Sequence, residues 1–569
     1  MDIKSNIKKV TKGITVLGYC LLVFGQTSCS DFLDVLPMDQ VVLENFWKEK
    51  ADVTSAMNSC YEALADEQVV TRMGVWGELR SENITSGSNP GELNDLLREN
   101  LLPTHSMCSW SAFYNVINRC NIVIHYAPTV NDANYTSAEC DATIAEATTL
   151  RALCYFYLIR TFRDVPYTTT PSIDDNQNYI IPATPFNDVI DSLITDLERV
   201  KGMALTRYAE ETVSNNQVVV PAKNNSRITR NAIYALLADL YLWKGDWDHV
   251  IEYCDKVIDD RYARYEELLQ RDQLAGVGLY EVNGKKIPLI LEGQTTRSVG
   301  DAYTEIFGKK NSFESLFEIF YNGNSKQENN WVANNYGNSN TPTGRLRASE
   351  VLTEGFTTNQ NAVFLSQKDC RFYEGMKTQN GAYYIAKYVR QNTSFSVEST
   401  GNVVVTDAFR SSRNANWIIY RFSDILLMKA EALIERGEDG YQEAFDLINT
   451  VYKRANAIKP GDPTPGLAFG DYSTSKNTME DLVLAERHRE FLFEGKRWYD
   501  LVRFVRRDGE TTRLSSNVIR KYRQDVNLIK IKLTDPNYIY FPYSRAELRA
   551  NPLLKQNPAF NKGEDAELK

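Results

Sequence analysis

The chain has 569 residues, 43% of them hydrophobic and 24% charged, which is ample apolar material for a large core. Its formal net charge is −10 and it has no basic stripe with interleaved aromatics, which excludes nucleic acid as a partner because phosphates demand a basic footprint. Aromatics are abundant, at 32 Tyr, 24 Phe and 8 Trp, and such side chains serve helix packing and sugar or peptide binding alike.

The N-terminus reads as a targeting segment. Lys4, Lys8, Lys9 and Lys12 precede an apolar run from Ile14 to Phe24, and Gly25-Gln-Thr-Ser28 then leads to Cys29. A basic region, a short apolar run and small residues before a cut site describe a secretory signal over 1–28. The run is too short to span a bilayer, which takes ~20 residues. A Cys directly after a small residue suggests lipoprotein processing, with Cys29 acylated as the new N-terminus; Gln26 departs from the Leu usual three positions before such a Cys. The alternative is an ordinary secreted protein in which Cys29 is a plain residue. Seven further cysteines follow Cys29, an odd number without a Cys-x-x-Cys pair, so no disulfide framework is expected, although an oxidising compartment would permit one bridge. Cys120, Cys154 and Cys254 fall in helical patterns and read as small core residues.

Apolar residues recur at helical spacing in Val53–Leu64, Trp110–Tyr126, Ala142–Phe162, Phe186–Val200, Thr229–Lys244, Trp247–Ile258, Trp417–Arg436, Tyr441–Ala455 and Met479–Val505. Several form helix–turn–helix pairs that resemble tetratricopeptide repeats. In the clearest, Ala235 and Ala238 allow close approach, Gly245 ends the first helix and Asp246 is placed to cap the second. Such units leave apolar faces that only a neighbour can cover, so they should stack. The expected fold is mainly α, a right-handed superhelical body of such pairs over about 40–260 and 411–510. An irregular, loop-rich insertion with a few short strands is expected over about 261–410, and a C-terminal segment over 511–569. No linker divides residues 29–569. Arg72–Asn94 reads as loop, Ser312–Tyr321 as one or two strands, and Asn322–Asn340 as a polar stretch.

No catalytic constellation stands out. The four histidines, His105, His125, His249 and His488, make no close metal pair, and no phosphate-binding or nucleophile motif is present. Glu486, Glu490 and Glu494 recur at four-residue steps, interleaved with Arg487, Arg489 and Arg497. This pattern reads as ion pairing rather than as a glycosidase pair, whose carboxyls must flank a sugar bond. Arg151 and Arg421 likewise read as braces between helices. No cofactor or metal is indicated, and bound calcium stays open.

Several short segments stand out in order along the chain. Early ones are Phe32-Leu-Asp-Val-Leu-Pro37, Phe46-Trp47, Tyr61-Glu-Ala-Leu64, Trp110-x₃-Tyr114-x₂-Ile117 with Cys120-Asn121, and Glu146-Ala-x₂-Leu150-Arg151-Ala152 continuing to Asp164-Val-Pro-Tyr167. Later ones are Arg421-x₃-Ile425 with Ala430-Glu-Ala432, Glu490-x₃-Glu494-Gly-Lys-Arg-Trp498-x-Asp500-Leu501, Phe541-Pro542, and Asn551-Pro552 with Gln556-Asn-Pro558. Together, in an order that spans almost the whole chain after Cys29, they resemble the SusD/RagB family. The resemblance implies a lipid-anchored outer-membrane protein that captures an oligosaccharide, or in some members a peptide, without cleaving it. It also implies a SusC-like TonB-dependent transporter as partner, and it fits Ser30, Asp31 and Asp34 to an acidic surface-export signal.

In related proteins the ligand site is built from the two irregular segments. The aromatics and polar side chains there, Trp76, Arg80 and Asn83 in the first and Trp331 and Tyr336 in the second, are therefore the candidate ligand contacts: rings for sugar faces, and amides and guanidinium for hydroxyls. Burial of Trp76, or a place for Trp331 at a partner interface, is the competing reading. A tetratricopeptide scaffold for envelope assembly is the rival from another class, and it expects a bare helical surface without an aromatic-bearing insertion.

Overall fold

The computed structural model describes residues 46–561 except 174–176, 216, 272–273, 275, 293–299, 325–326, 339–342, 356–361, 367, 398–402 and 457–465. The segment read as a secretory signal, 1–28, and the expected lipidation site Cys29 lie outside the described residues.

Helices dominate, as the periodicity predicts. In chain order they include α1 (Lys50–Leu64), α2 (Glu67–Gly74), α3 (Ser111–Tyr126), α4 (Ser137–Phe162), α5 (Phe186–Val200), α6 (Arg230–Lys244), α7 (Trp247–Arg271), α8 (Phe422–Arg436), α9 (Tyr441–Ala455), α10 (Lys476–Glu490) and α11 (Arg497–Asp508). The α5 sequence shows the logic: Phe186, Val189, Ile190, Leu193, Ile194, Leu197 and Val200 are all buried at i, i+3, i+4 spacing. Burying each such side chain contributes roughly 1.5–3 kcal/mol. At the α6–α7 turn Gly245 takes the left-handed conformation (φ 81°) that a side chain would disfavour. Asp246 then accepts the His249 amide at 3.4 Å and caps α7.

The helices pack in succession, α3 on α4, α4 on α5, α5 on α6, α6 on α7, α7 on α8, α8 on α9 and α10. The α7–α8 contact joins pairs that the insertion separates in sequence. Lys429 on α8 fastens it, with Nζ 2.7 Å from Asp255 on α7 and 2.5 Å from Glu443 on α9. Buried apolar side chains from Trp47 to Leu554 form one connected cluster, so helices and insertion share a core.

The structure corrects one expectation of type, since Trp417–Arg421, read as the start of a helix, is a strand and α8 begins at Phe422, and three of extent. Arg72–Asn94 is not an open loop: α2 runs into a π-turn at Val75–Leu79 and then a strand, and 72–83 are buried throughout. Helix α7 continues past Ile258 to Arg271, because Arg261, Arg264, Tyr265 and Leu268 keep a buried face. The Met479–Val505 pattern is two helices, broken where Phe493 and Gly495 take φ of 65° and 72°. Glu494 therefore sits in the turn, not on α10.

A four-stranded antiparallel sheet joins β1 (Ile84–Ser86), from the first irregular segment, to β2 (Leu346–Ala348), β3 (Met376–Gln379) and β4 (Ala382–Ile385) of the insertion, in the order β1-β2-β4-β3. Ser315–Ile319, within the segment read as strand, pairs with Trp417–Arg421. The hairpins Val277–Ile290 and Met376–Ile385 turn on Asn283-Gly284 and Asn380-Gly381, all four with positive φ, which matches the right-handed twist of the flanking strands.

Candidate functional site

The two irregular segments do meet. The Gly87 amide donates to the Arg345 carbonyl at 2.9 Å, the Ser349 amide donates to the Asn83 carbonyl at 2.8 Å, and β1 pairs with β2. The five side chains singled out in them, however, point inward, and this corrects their assignment as ligand contacts. Trp76 is fully buried, stacks on Phe113 at 5.0 Å and donates to the Met107 carbonyl. Arg80, also fully buried, bonds Glu99 at 2.7 Å and the Tyr538 and Ile539 carbonyls, with its guanidinium 4.3 Å over Trp498. Trp331 packs edge-on to Tyr336, whose hydroxyl donates to the Phe493 carbonyl at 3.1 Å, and both are at most 1% exposed. None of these rings offers a face to a ligand.

Asn83 stands behind a concavity rather than in it. Its amide donates to Glu78 at 2.6 Å, and its oxygen meets His488 Nε2 at 2.5 Å. Burial, with Arg497 adding to it, holds the His488 imidazole down at about 3, so the ring is neutral and its Nε2–H donates to Asn83. Burial also raises Glu78 to about 7, against the hydrogen bonds from Asn83 and the Gly495 and Phe493 amides. Burial alone would raise Glu82, but Arg497, 2.6 Å away, keeps it at about 2.

His488 forms part of the wall of an open cleft of about 980 Å³ between the outer face of α10, residues 508–520 and residues 362–365. That volume is in the range of ligand sites, roughly 300–1,000 Å³. The half-buried ring of Tyr472 lines it, as do Asn477, Thr478, Asp481, Arg513, Ser516, Asn517 and Arg520. Such a lining can meet a sugar ring face with the aromatic and its hydroxyls with amides, hydroxyls and guanidinium groups. No family motif marks these positions, and their helical periodicity hides them as surface polar residues, so sequence reasoning passed over them.

Behind the cleft α10 is clamped by charge. Glu490 Oε1 lies 2.6 Å from Arg421 and 2.5 Å from Arg454, and its Oε2 lies 3.0 Å from Arg371. Burial would raise Glu490, but Arg454, Arg421 and Arg371 hold it well below the usual carboxylate range. Glu486 is held by Arg371 and Arg489, and Glu494 by Arg421 and Lys387. The three glutamates are thus structural, as their interleaving with arginine predicts, and Arg151 braces helices too, bonding Asn121 and Asp196. Among the described residues no group of three or more His, Cys, Asp or Glu side chains could hold a metal ion. Glu292 and Glu374 are apposed carboxyls, but their cavity is about 30 Å³, room for one water and not for a sugar ring. Among the described residues no helix is long and apolar enough to cross a membrane.

Comparison with known proteins agrees along the chain. The SusD family profile matches residues 281–560, and a second, described as starch-binding associating with outer membrane, matches 31–242. SusD-like protein P38 of Formosa agariphila is 25% identical over 522 residues, 87% of this chain and 92% of its own. A SusD-like protein of Bacteroides ovatus is 24% identical over 507 residues, 79% of this chain and 80% of its own. Among solved structures, a SusD superfamily protein of Bacteroides thetaiotaomicron VPI-5482 superposes with a TM-score of 0.63 at 19% identity, covering 90% of this chain and 99% of its own. NanU of B. fragilis superposes with a TM-score of 0.60 at 17% identity, covering 93% and 100%. The tetratricopeptide-like helical fold is that of these structures, and the chain belongs to the SusD family.

Proposed function

We propose that the chain captures an oligosaccharide at the cell surface, in the cleft beside α10, and passes it to a SusC-like TonB-dependent transporter in the outer membrane. Proteins of this family bind rather than transform their ligands, and one of the two matching profiles is described as starch-binding associating with outer membrane. The observation that carries the reading is the cleft itself, polar groups of α10 and of residues 513–520 with the Tyr472 ring beside them, where α10 is locked from behind by buried ion pairs. A rigid wall of that kind gives specificity at little ordering cost on binding. Acyl chains on Cys29 would hold the protein at the membrane, each buried CH₂ contributing roughly 0.8 kcal/mol.

A peptide ligand is the alternative of the same kind, and a scaffold for envelope assembly the alternative of another kind. Titration of the chain against a panel of polysaccharides, oligosaccharides and peptides decides among them. Saturable oligosaccharide binding, weakened by Asn477→Ala and Asn517→Ala at unchanged stability, supports the proposal. Binding confined to peptides, or to none of the panel, contradicts it, and release of shortened sugars by the pure protein would contradict a non-catalytic role.

A further inference from the structure

The C-terminal part of the chain carries a surface that the cleft does not use. Helix α12 (Val526–Thr534) buries Ile529 and Leu533 against the body and leaves Leu528 and Ile531 outside. These are 55% and 68% exposed, the two most exposed large apolar side chains among the described residues. At roughly 100° per residue Ile531 points directly away from the buried pair, so this face is no fringe of the core. The surface continues beyond the helix. Lys532 Nζ donates to the Glu99 carbonyl at 2.7 Å and the Arg545 amide to the Pro103 carbonyl at 3.1 Å. The segment 99–103, with exposed Leu102, is thereby tied to α12 at one end and to Arg545 at the other.

Charge marks the same region. Residues 520–555 hold eight Lys and Arg against three Asp and Glu, in a chain whose net charge is −10. Lys530, Arg549 and Lys555 are exposed, and none has an ion pair among the described residues. No aromatic ring in 520–555 is exposed. Protein interfaces favour aromatics and are poor in lysine, whereas aliphatic side chains flanked by Lys and Arg suit the headgroup zone of an anionic bilayer.

We propose that this surface docks on anionic lipid, Leu528 and Ile531 entering the headgroup zone while Lys530 and its neighbours meet lipid phosphates. This docking rests on the outer-membrane location proposed above and adds an orientation to it. An acidic body is repelled by an anionic membrane, so a chain tethered there turns a cationic, apolar surface toward it. From Cys29 to Phe46 the chain can span at most ~60 Å, which leaves an anchored body room to turn.

The test is hydrogen exchange of the peptide spanning 526–534 in the full chain. One sample holds vesicles of equal parts phosphatidylglycerol and phosphatidylcholine, the other vesicles of phosphatidylcholine alone. Exchange should slow ~10-fold on the anionic vesicles only, and high salt should remove the effect. Leu528→Ser with Ile531→Ser, and separately Lys530→Glu, should abolish it at an unchanged unfolding midpoint, because all three side chains are exposed. Equal protection on both kinds of vesicle would overturn the proposal, as would protection by a transporter barrel and not by lipid. Cell fractionation separates this from the location itself. Recovery of the chain with the outer membrane, with 526–534 unprotected on anionic vesicles, overturns the docking and leaves the location standing. Recovery in the soluble fraction overturns both.

Discussion

Trp331 lies so close against Gly74 that a Cβ there would fall 2.2 Å from the indole Cε2. This contact locks the two irregular segments together, and Gly77 is as tight against the turn after α10, where a Cβ would meet the Gly495 carbonyl oxygen at 1.8 Å. Gly74→Ala should destabilise by about 1–3 kcal/mol, the usual cost of overpacking. Gly77→Ala should cost more, because backbone must move rather than a ring. Urea unfolding midpoints measure both.

Trp331→Ala should act on stability before it acts on ligand. Removing a buried Trp costs about 3–5 kcal/mol, and this one is 1% exposed. Thermal unfolding should show the loss directly. A Trp331→Ala protein of unchanged stability but abolished binding would return Trp331 to the ligand site.

Glu490 accepts from three arginines in the core, so Glu490→Ala leaves buried guanidinium groups uncompensated. The expected loss is about 3–5 kcal/mol. Because the network is shared, Glu490→Ala and Arg421→Ala should be strongly non-additive in a double-mutant cycle.

Acid should unfold the chain through these carboxylates. Glu82 and Asp500 are held at about 2, in each case by arginines acting against burial: Arg497 for Glu82, and Arg487 and Arg503 for Asp500. A depressed acid stabilises above its unfolded value and loses that contribution as pH falls toward the folded one. Stability should therefore drop between about pH 4.5 and pH 2, and Glu82→Gln should make that drop shallower.

Among the seven described cysteines only Cys140 is partly exposed. Burial raises the thiols of Cys108, Cys154 and Cys254 far from the reactive range. A small thiol reagent should therefore label Cys140 in the native chain and the others only on unfolding, as peptide mass spectrometry would show.

The helical pairs were legible because their signals are local. Gly245, Asp246 and the small residues Ala235 and Ala238 announce a turn and a close approach within twenty residues of sequence. The candidate site was not, and Arg80 shows why. In composition it belongs to a polar, glycine-bearing stretch, yet its partners are Glu99 and the carbonyls of residues 538 and 539, which local sequence cannot reveal. Asn83 is likewise used up by Glu78 and His488. Some missed features did carry a signal: Asn283-Gly284 and Asn380-Gly381 are strong hairpin markers, and Gly495 marks the break after α10. The cleft residues carried none, since Asn477 and Asn517 look like any solvated helix face.

If a non-catalytic sugar site lies in the cleft beside α10, the side chains lining it must set the affinity. Calorimetric titration of the full chain with its best oligosaccharide, repeated on Tyr472→Ala, Asn477→Ala and Asn517→Ala, tests it most directly. Saturable binding with unaltered sugar recovered is expected, with affinity reduced ~10-fold or more by at least one substitution at unchanged unfolding midpoint. Wild-type affinity in all three variants would place the ligand elsewhere on the chain and contradict it.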